Sequence, residues 1–161
     1  MHLEGTIRPH TLLDIAKRND IALPVQTEAE LAELYRFRDF AHFVDVWILT
    51  TNVLRTADDC RQVVVDYAGE AATHGATYVE AIFSPIERVA RGVPWAELFE
   101  GYCDGAAEAD ETHGVTVRLT PDVYRGADTQ AAKHEERGKR GRLHLAKLQG
   151  GRALKRRGIV H

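Results

Sequence analysis

Cysteine, proline and long apolar runs are scarce in this 161-residue sequence. The two cysteines, Cys60 and Cys103, lie far apart and neither belongs to a C-x-x-C arrangement, so the sequence signals neither a zinc knuckle nor a disulfide framework. No apolar run approaches the roughly 20 residues that a membrane-spanning helix needs. The first five residues also lack the basic-then-apolar order of a signal peptide. We therefore predict a cytoplasmic protein with reduced, partly buried thiols.

The overall composition is that of a globular protein. With 44% hydrophobic residues, 28% charged residues and only five prolines, it excludes collagen-like, mucin-like and wholly disordered chains. A length of 161 residues suits one domain of ordinary size or a piece of a larger one.

Aromatic residues are absent after Tyr124, although twelve occur up to that position. The balance of charge changes at the same place. Residues 1–124 contain 10 Lys and Arg against 21 Asp and Glu, whereas residues 125–161 contain 11 against 3. The second segment is punctuated by glycine and has no sustained apolar stripe, which is typical of weak or partial order. We predict a folded part over residues 1–124 and a poorly ordered basic tail over residues 125–161.

Three helices are predicted before residue 52. Pro9 opens the first, which runs to Arg18. Thr27 and Glu30 form a capping box ahead of the second. The third is predicted because apolar residues recur at i, i+3, i+4 and i+7, namely Phe40, Phe43, Val44 and Trp47.

The rest of the predicted folded part repeats one order of features twice. In each repeat a helix ends at a glycine, and a single strand and a proline follow. The glycines that end the helices are Gly75 and Gly114, 39 residues apart, and the strands cover residues 77–83 and 115–119. Single buried strands that alternate with helices pair in parallel, because each strand needs a crossover helix to return to the same edge. The sequence therefore predicts an α/β fold.

A histidine and a carboxylate, His2 and Glu4, lie two residues apart in a segment that is predicted to be a strand. Alternate residues of a strand face the same side, so both side chains are expected to point to one face. On spacing alone a polar terminus without function is the favoured interpretation, because a His-x-Glu pair is a weak signal.

The segment of residues 2–9, His-Leu-Glu-Gly-Thr-Ile-Arg-Pro, resembles the N-terminus of the adenosine deaminase family of metal-dependent aminohydrolases. Residues 40–45, 54–56, 78–80 and 83–85 follow in the family's order and approximate spacing. The resemblance covers most of residues 2–124. It implies a TIM-type (β/α) barrel of eight parallel strands, of which this chain would hold about three, with the site at the carboxyl ends of the strands.

The resemblance also implies a site. In the family, Zn²⁺ activates a water molecule that displaces ammonia from a purine ring carbon. His2 matches the second histidine of the family's His-x-His metal pair, and the first has no counterpart here. Glu4 matches an acidic residue that contacts the substrate's sugar. Phe40, and less securely Phe43 or Val44, match an apolar gate helix that covers the purine, with ordinary core packing as the alternative for both phenylalanines.

The family's catalytic residues and its other metal ligands come from the second half of a chain about twice this length. We therefore expect no catalytic residue in this sequence, and we expect the chain to be truncated and inactive alone. The basic tail contains His134, Glu135 and His144, but the surrounding arginines and lysines disfavour a cation there. An incomplete barrel exposes strand edges, so self-association is expected.

Three interpretations compete. The first is zinc-dependent hydrolytic deamination of adenosine, or a related purine, to inosine and ammonia by the family to which this chain is similar. The second is a non-catalytic fragment whose basic tail binds nucleic acid or a partner non-specifically, which the lack of stacking aromatic residues disfavours. The third is a tail translated out of its original frame. We favour the first, with a small purine as partner and with neither membrane nor nucleic acid.

Overall fold

The structure, a computed structural model, describes residues 1–122. The predictions for the basic tail lie outside the described residues. They include its low order, its candidate ligands His134, Glu135 and His144, and its binding of nucleic acid. Within residues 1–122, no helix combines the length and the apolar character that crossing a membrane requires.

Six α-helices and two β-strands make up the described residues. In chain order they are α1 (Pro9–Arg18), α2 (Glu28–Leu34), α3 (Phe40–Thr51), α4 (Ala57–Thr73), β1 (Tyr78–Phe83), α5 (Pro85–Ala90), α6 (Trp95–His113) and β2 (Thr116–Pro121). The three early helices and the two helix-to-strand units confirm the predicted order. The α5 helix was not predicted, because Ser84-Pro85 was interpreted only as the end of a strand, whereas Pro85 opens this helix at its first turn.

The two strands pair in parallel, in a register that runs from Tyr78 opposite Thr116 to Phe83 opposite Pro121. The α6 helix provides the crossover between them. Gly114 ends that helix in the left-handed conformation, with φ of 65°, which favours glycine because it has no Cβ. The parallel pairing confirms the α/β prediction.

The prediction of a strand at His2–Thr6 is wrong. His2 makes a single parallel bridge with Ile82, and the chain then tightens into a 3-10 helix over Leu3–Thr6. The Gly5 N–H donates to the His2 carbonyl at 3.1 Å. The Glu4 side chain is buried, and its carboxylate accepts a hydrogen bond from the Ser84 N–H. The described residues therefore contain two strands and one bridge rather than three strands.

Helices α4 and α6 pack closely through two glycines of α6. A Cβ added at Gly101 would lie 2.0 Å from the carbonyl oxygen of Ala57, and one at Gly105 would lie 2.7 Å from that of Arg61. Apolar side chains of both helices and both strands then share one core, which includes Cys60, Val63, Val64, Ala81, Phe83, Leu98, Tyr102 and Val117. This core holds the carboxyl ends of β1 and β2 in place.

Candidate functional site

Polar side chains meet at the carboxyl ends of the two strands. Ser84 follows β1 and Asp122 follows β2, so parallel pairing places them side by side. The Ser84 Oγ donates a hydrogen bond to the Asp122 Oδ2 at 2.9 Å. The His2 Nδ1 lies 3.4 Å from the Ser84 Oγ and 3.7 Å from the Asp122 Oδ2. The bridge between His2 and Ile82 brings the start of the chain to this edge.

Glu4 lies beneath this cluster and is only 2% exposed. Its Oε1 accepts hydrogen bonds from the Ser84 N–H at 2.7 Å and from the Tyr102 hydroxyl at 3.5 Å. Its Oε2 is buried without a hydrogen-bond partner among the described residues. Burial raises the pKa of the Glu4 carboxyl, although the charge of Arg88 and the Ser84 N–H oppose that rise. The interpretation of this segment as a polar terminus is therefore wrong, because Glu4 belongs to the interior.

An aromatic cavity of about 270 Å³ opens beside Glu4. Its lining comes from the start of the chain, from the turn before α3 and from α3 itself: Glu4, Gly5, Ile7, Tyr35, Phe37, Phe43, Val46, Trp47 and Thr50. The Phe37 and Phe43 rings meet edge to face, with centroids 5.2 Å apart. Flat apolar walls beside a carboxyl group suit a flat heterocycle that carries a hydrogen-bond donor.

The two predicted gate residues differ in position. Phe43 is 39% exposed and lines the cavity. Phe40 is 78% exposed and is not among the lining residues, although its ring centroid lies 5.9 Å from that of Phe43. Neither residue belongs to the buried core, so the alternative of ordinary core packing is wrong for both.

Several residues of the site were missed by sequence reasoning. Tyr35, Phe37 and Trp47 complete the aromatic walls, and Ser84 and Asp122 complete the polar cluster. A signal for the last two was present, since Ser84 directly follows the first predicted strand and Asp122 lies three residues after the second, near the strand ends where the sites of parallel sheets lie. No comparable signal marks Tyr35 and Phe37, which lie between helices.

The described residues do not by themselves fit a zinc site. Within residues 1–122, no three His, Cys, Asp or Glu side chains come close enough to hold a metal ion. His2 contributes one imidazole, with its side chain 48% exposed, whereas structural and catalytic zinc sites use three or four protein ligands.

Comparison with known proteins identifies the relatives of this sequence. A sequence model described as adenosine deaminase matches residues 1–140, so the match continues past Tyr124 into the basic segment. An aminodeoxyfutalosine deaminase from Acidothermus cellulolyticus is 63% identical over 130 residues, which are 81% of this chain and 36% of that protein. An adenine deaminase from Streptomyces coelicolor is 33% identical over 132 residues, which are 82% of this chain and 39% of that protein. The chain thus spans little more than a third of the length of these relatives.

Two solved structures resemble the fold. The crystal structure of adenine deaminase from Arthrobacter aurescens superposes with a TM-score of 0.70 at 31% identity, over 75% of this chain and 37% of that one. An amidohydrolase from Burkholderia ambifaria, solved with bound zinc, superposes with a TM-score of 0.64 at 25% identity, over 80% of this chain and 35% of that one.

Proposed function

Because this chain belongs to the adenosine deaminase family, we propose that it forms part of an enzyme that hydrolytically removes an amino group from a purine-related small molecule. The two parallel strands and their helices would then be a section of a β/α barrel that further chain completes. His2 would be one of several zinc ligands, the others coming from outside the described residues. The predicted cytoplasmic location stays a prediction.

We propose aminodeoxyfutalosine as the first substrate to test, ahead of adenine and adenosine. Support comes from the difference in identity between two relatives that cover similar shares of this chain. The protein named aminodeoxyfutalosine deaminase is 63% identical, whereas the one named adenine deaminase is 33% identical. The adenosine that we expected from the sequence is therefore the third candidate.

The observation that carries the proposal is a cavity whose lining combines aromatic side chains with Glu4, a buried residue whose Oε2 has no hydrogen-bond partner among the described residues. A buried carboxylate oxygen without a partner costs about 1–3 kcal/mol or more, and a bound ligand that donates a hydrogen bond removes that cost. Phe37, Phe43 and Trp47 would contact the faces and edges of a flat ring, while Glu4 would accept a hydrogen bond from a hydroxyl or N–H of the substrate. Phe40, which is mostly exposed, would cover the mouth of the cavity only when a ligand is bound.

A chimera tests this function directly. The 130 aligned residues of the Acidothermus protein would be replaced by those of this chain, and release of ammonia from aminodeoxyfutalosine, adenine and adenosine would be followed. We expect deamination of aminodeoxyfutalosine. We also expect the Glu4→Gln chimera to lose about tenfold or more in kcat/KM, because a hydrogen bond to a charged acceptor contributes about 1.5–3 kcal/mol.

Glu80→Gln is the matched control, since Glu80 is exposed and accepts its hydrogen bond from Tyr78 rather than from the cavity. A folded, zinc-containing chimera that releases no ammonia from any of the three compounds would refute the proposed function. Equal loss in the Glu4 and Glu80 variants would refute the role of Glu4.

A further inference from the structure

A fully buried arginine lies against Trp47, a residue of the cavity wall. Arg88, in α5, is 1% exposed, although arginine is almost never fully buried unless it is paired. Its one ion pair within residues 1–122 joins its Nη1 to the Oε2 of Glu87 at 3.4 Å, and Glu87 is itself 35% exposed. Its other hydrogen bonds go to backbone carbonyls, and its charge acts on the buried Glu4 carboxyl without a direct ion pair. A buried salt bridge therefore does not account for the position of this guanidinium.

The contacts of Arg88 join the end of β1 to two points on α3. Its Nη1 donates to the Ser84 carbonyl at 3.2 Å, and its Nη2 donates to the Thr51 carbonyl at 3.5 Å. Its Cζ lies 5.8 Å from the centroid of the Trp47 ring, within the range of a cation–π contact. One side chain thus connects a strand end, a helix end and an aromatic wall.

One of these three contacts lines the cavity, and another is bonded to the cavity residue Glu4. Trp47 is part of its lining. The Ser84 backbone has Arg88 on its carbonyl side and Glu4 on its N–H side, since the Glu4 Oε1 accepts from that N–H at 2.7 Å. The separation between the aromatic wall and the carboxylate therefore depends on how Arg88 holds α3 against Ser84.

We propose that Arg88 is a positioning residue for the cavity, setting Trp47 relative to Glu4. The identity of the ligand rests on the proposed function, but the arrangement of Trp47 and Glu4 exists without a ligand. Arginine suits this position because its planar fork reaches two carbonyls while its face lies against an aromatic ring. A lysine ammonium offers neither the fork nor the face. The Nε of Arg88 is buried without a partner in the described part of the chain, so its burial has an unfavourable free energy that the other contacts must offset.

The test compares Arg88→Lys and Arg88→Met with Arg91→Lys in the 161-residue chain. Arg91 is a matched control because it follows the same helix but is partly exposed and lies 3.9 Å from the Glu87 carboxylate. A Trp95→Phe background leaves the Trp47 indole N–H as the one tryptophan resonance in a ¹H–¹⁵N spectrum. We expect both Arg88 variants to shift that resonance, and we expect Arg91→Lys to leave it in place.

Ligand affinity is the second readout. Titration with aminodeoxyfutalosine should show about tenfold weaker binding for Arg88→Lys at an unchanged fold by circular dichroism, because a small displacement of a binding group has a large effect. If both variants unfold, the contact between Arg88 and Trp47 is tested in the unaltered protein instead. Nuclear Overhauser effects between the Arg88 side chain and the Trp47 ring would support the proposal, and their absence would overturn it.

A folded Arg88→Lys chain with unchanged Trp47 resonance, or with unchanged affinity, would also overturn it. If the unaltered chain binds none of aminodeoxyfutalosine, adenine and adenosine, the chain alone does not form the substrate site, and the chimera decides the proposed function. The Trp47 resonance then still shows whether Arg88 holds the Trp47 ring in its position in the cavity wall.

Discussion

Asp59 is the residue that ties the end of α1 to the start of α4. Its side chain is fully buried. Its carboxylate accepts hydrogen bonds from the Arg18 guanidinium, the Asn19 amide at 2.7 Å and the N–H groups of Arg55 and Thr56, both at 2.9 Å. Burial alone would raise the pKa of Asp59, but these hydrogen bonds outweigh it and hold the pKa below its ordinary value.

This lowered pKa predicts loss of stability in acid. The stabilisation is present above the pKa of the unfolded carboxyl, about 3.9, and is lost as the pH falls through the lower pKa of the folded state. We expect Asp59→Asn to cost about 2 kcal/mol of unfolding free energy at pH 7. We also expect the unfolding free energy of the Asp59→Asn variant to change less between pH 5 and pH 2 than that of the unaltered chain.

Urea unfolding at a series of pH values measures both effects. Asp58→Asn is the control, because Asp58 is 53% exposed and pairs with Arg18 and Arg61 at the surface, where such pairs contribute about 0–1 kcal/mol. Parallel pH profiles for Asp59→Asn and the unaltered chain would contradict the assignment.

At the scale of elements, the packing of α4 on α6 sets the core, and Gly101 is its closest point. The Cβ of an alanine there would lie 2.0 Å from a backbone carbonyl of α4, which cannot move without displacing the helix. Gly101→Ala should therefore destabilise the chain by more than about 2 kcal/mol, although alanine is the better helix former by about 1 kcal/mol.

Gly69→Ala separates the steric clash from the higher helix propensity of alanine. A Cβ at Gly69, within α4, would meet only the His113 imidazole at 3.1 Å, a side chain at the end of α6 that can turn away. We expect this variant to change the melting temperature little or to raise it. Equal melting temperatures for the two alanine variants would show that the helices separate more easily than their packing indicates.

At the scale of the whole molecule, the described residues form a sheet of two strands, and the neighbouring rings of Phe37, Phe40 and Phe43 are exposed. Unpaired strand edges and contiguous apolar surface both favour association. We predict that the purified chain sediments as species heavier than its 18.0 kDa mass, increasingly so with concentration. Phe40→Ser should reduce this association.

The control is Tyr78→Ser, which removes an exposed aromatic residue at the start of β1, at the end of the strand that does not carry the candidate site. A single monomeric boundary in analytical ultracentrifugation, together with a cooperative thermal transition, would contradict the predicted association.

Local sequence was sufficient for most of the elements. The capping box at Thr27 is present as predicted, because it depends on residues within three positions of one another. Parallel pairing followed from the alternation of helices with single strands. The resemblance led to the correct family for a similar reason, since it rests on several short contiguous segments that follow in order, beginning with residues 2–9.

The site depended on contacts between residues that are far apart in the chain. Glu4 and Ser84 are 80 residues apart, and their hydrogen bond forms within a 3-10 helix where a strand was predicted. No local pattern encodes such a contact, because it forms only when β1 brings Ser84 to the start of the chain. The sequence by itself determined most of the elements and the family. Only the tertiary structure decided that Glu4 is buried, that Phe40 is not part of the cavity lining and that Arg88 is buried against Trp47, because burial follows from packing between distant elements.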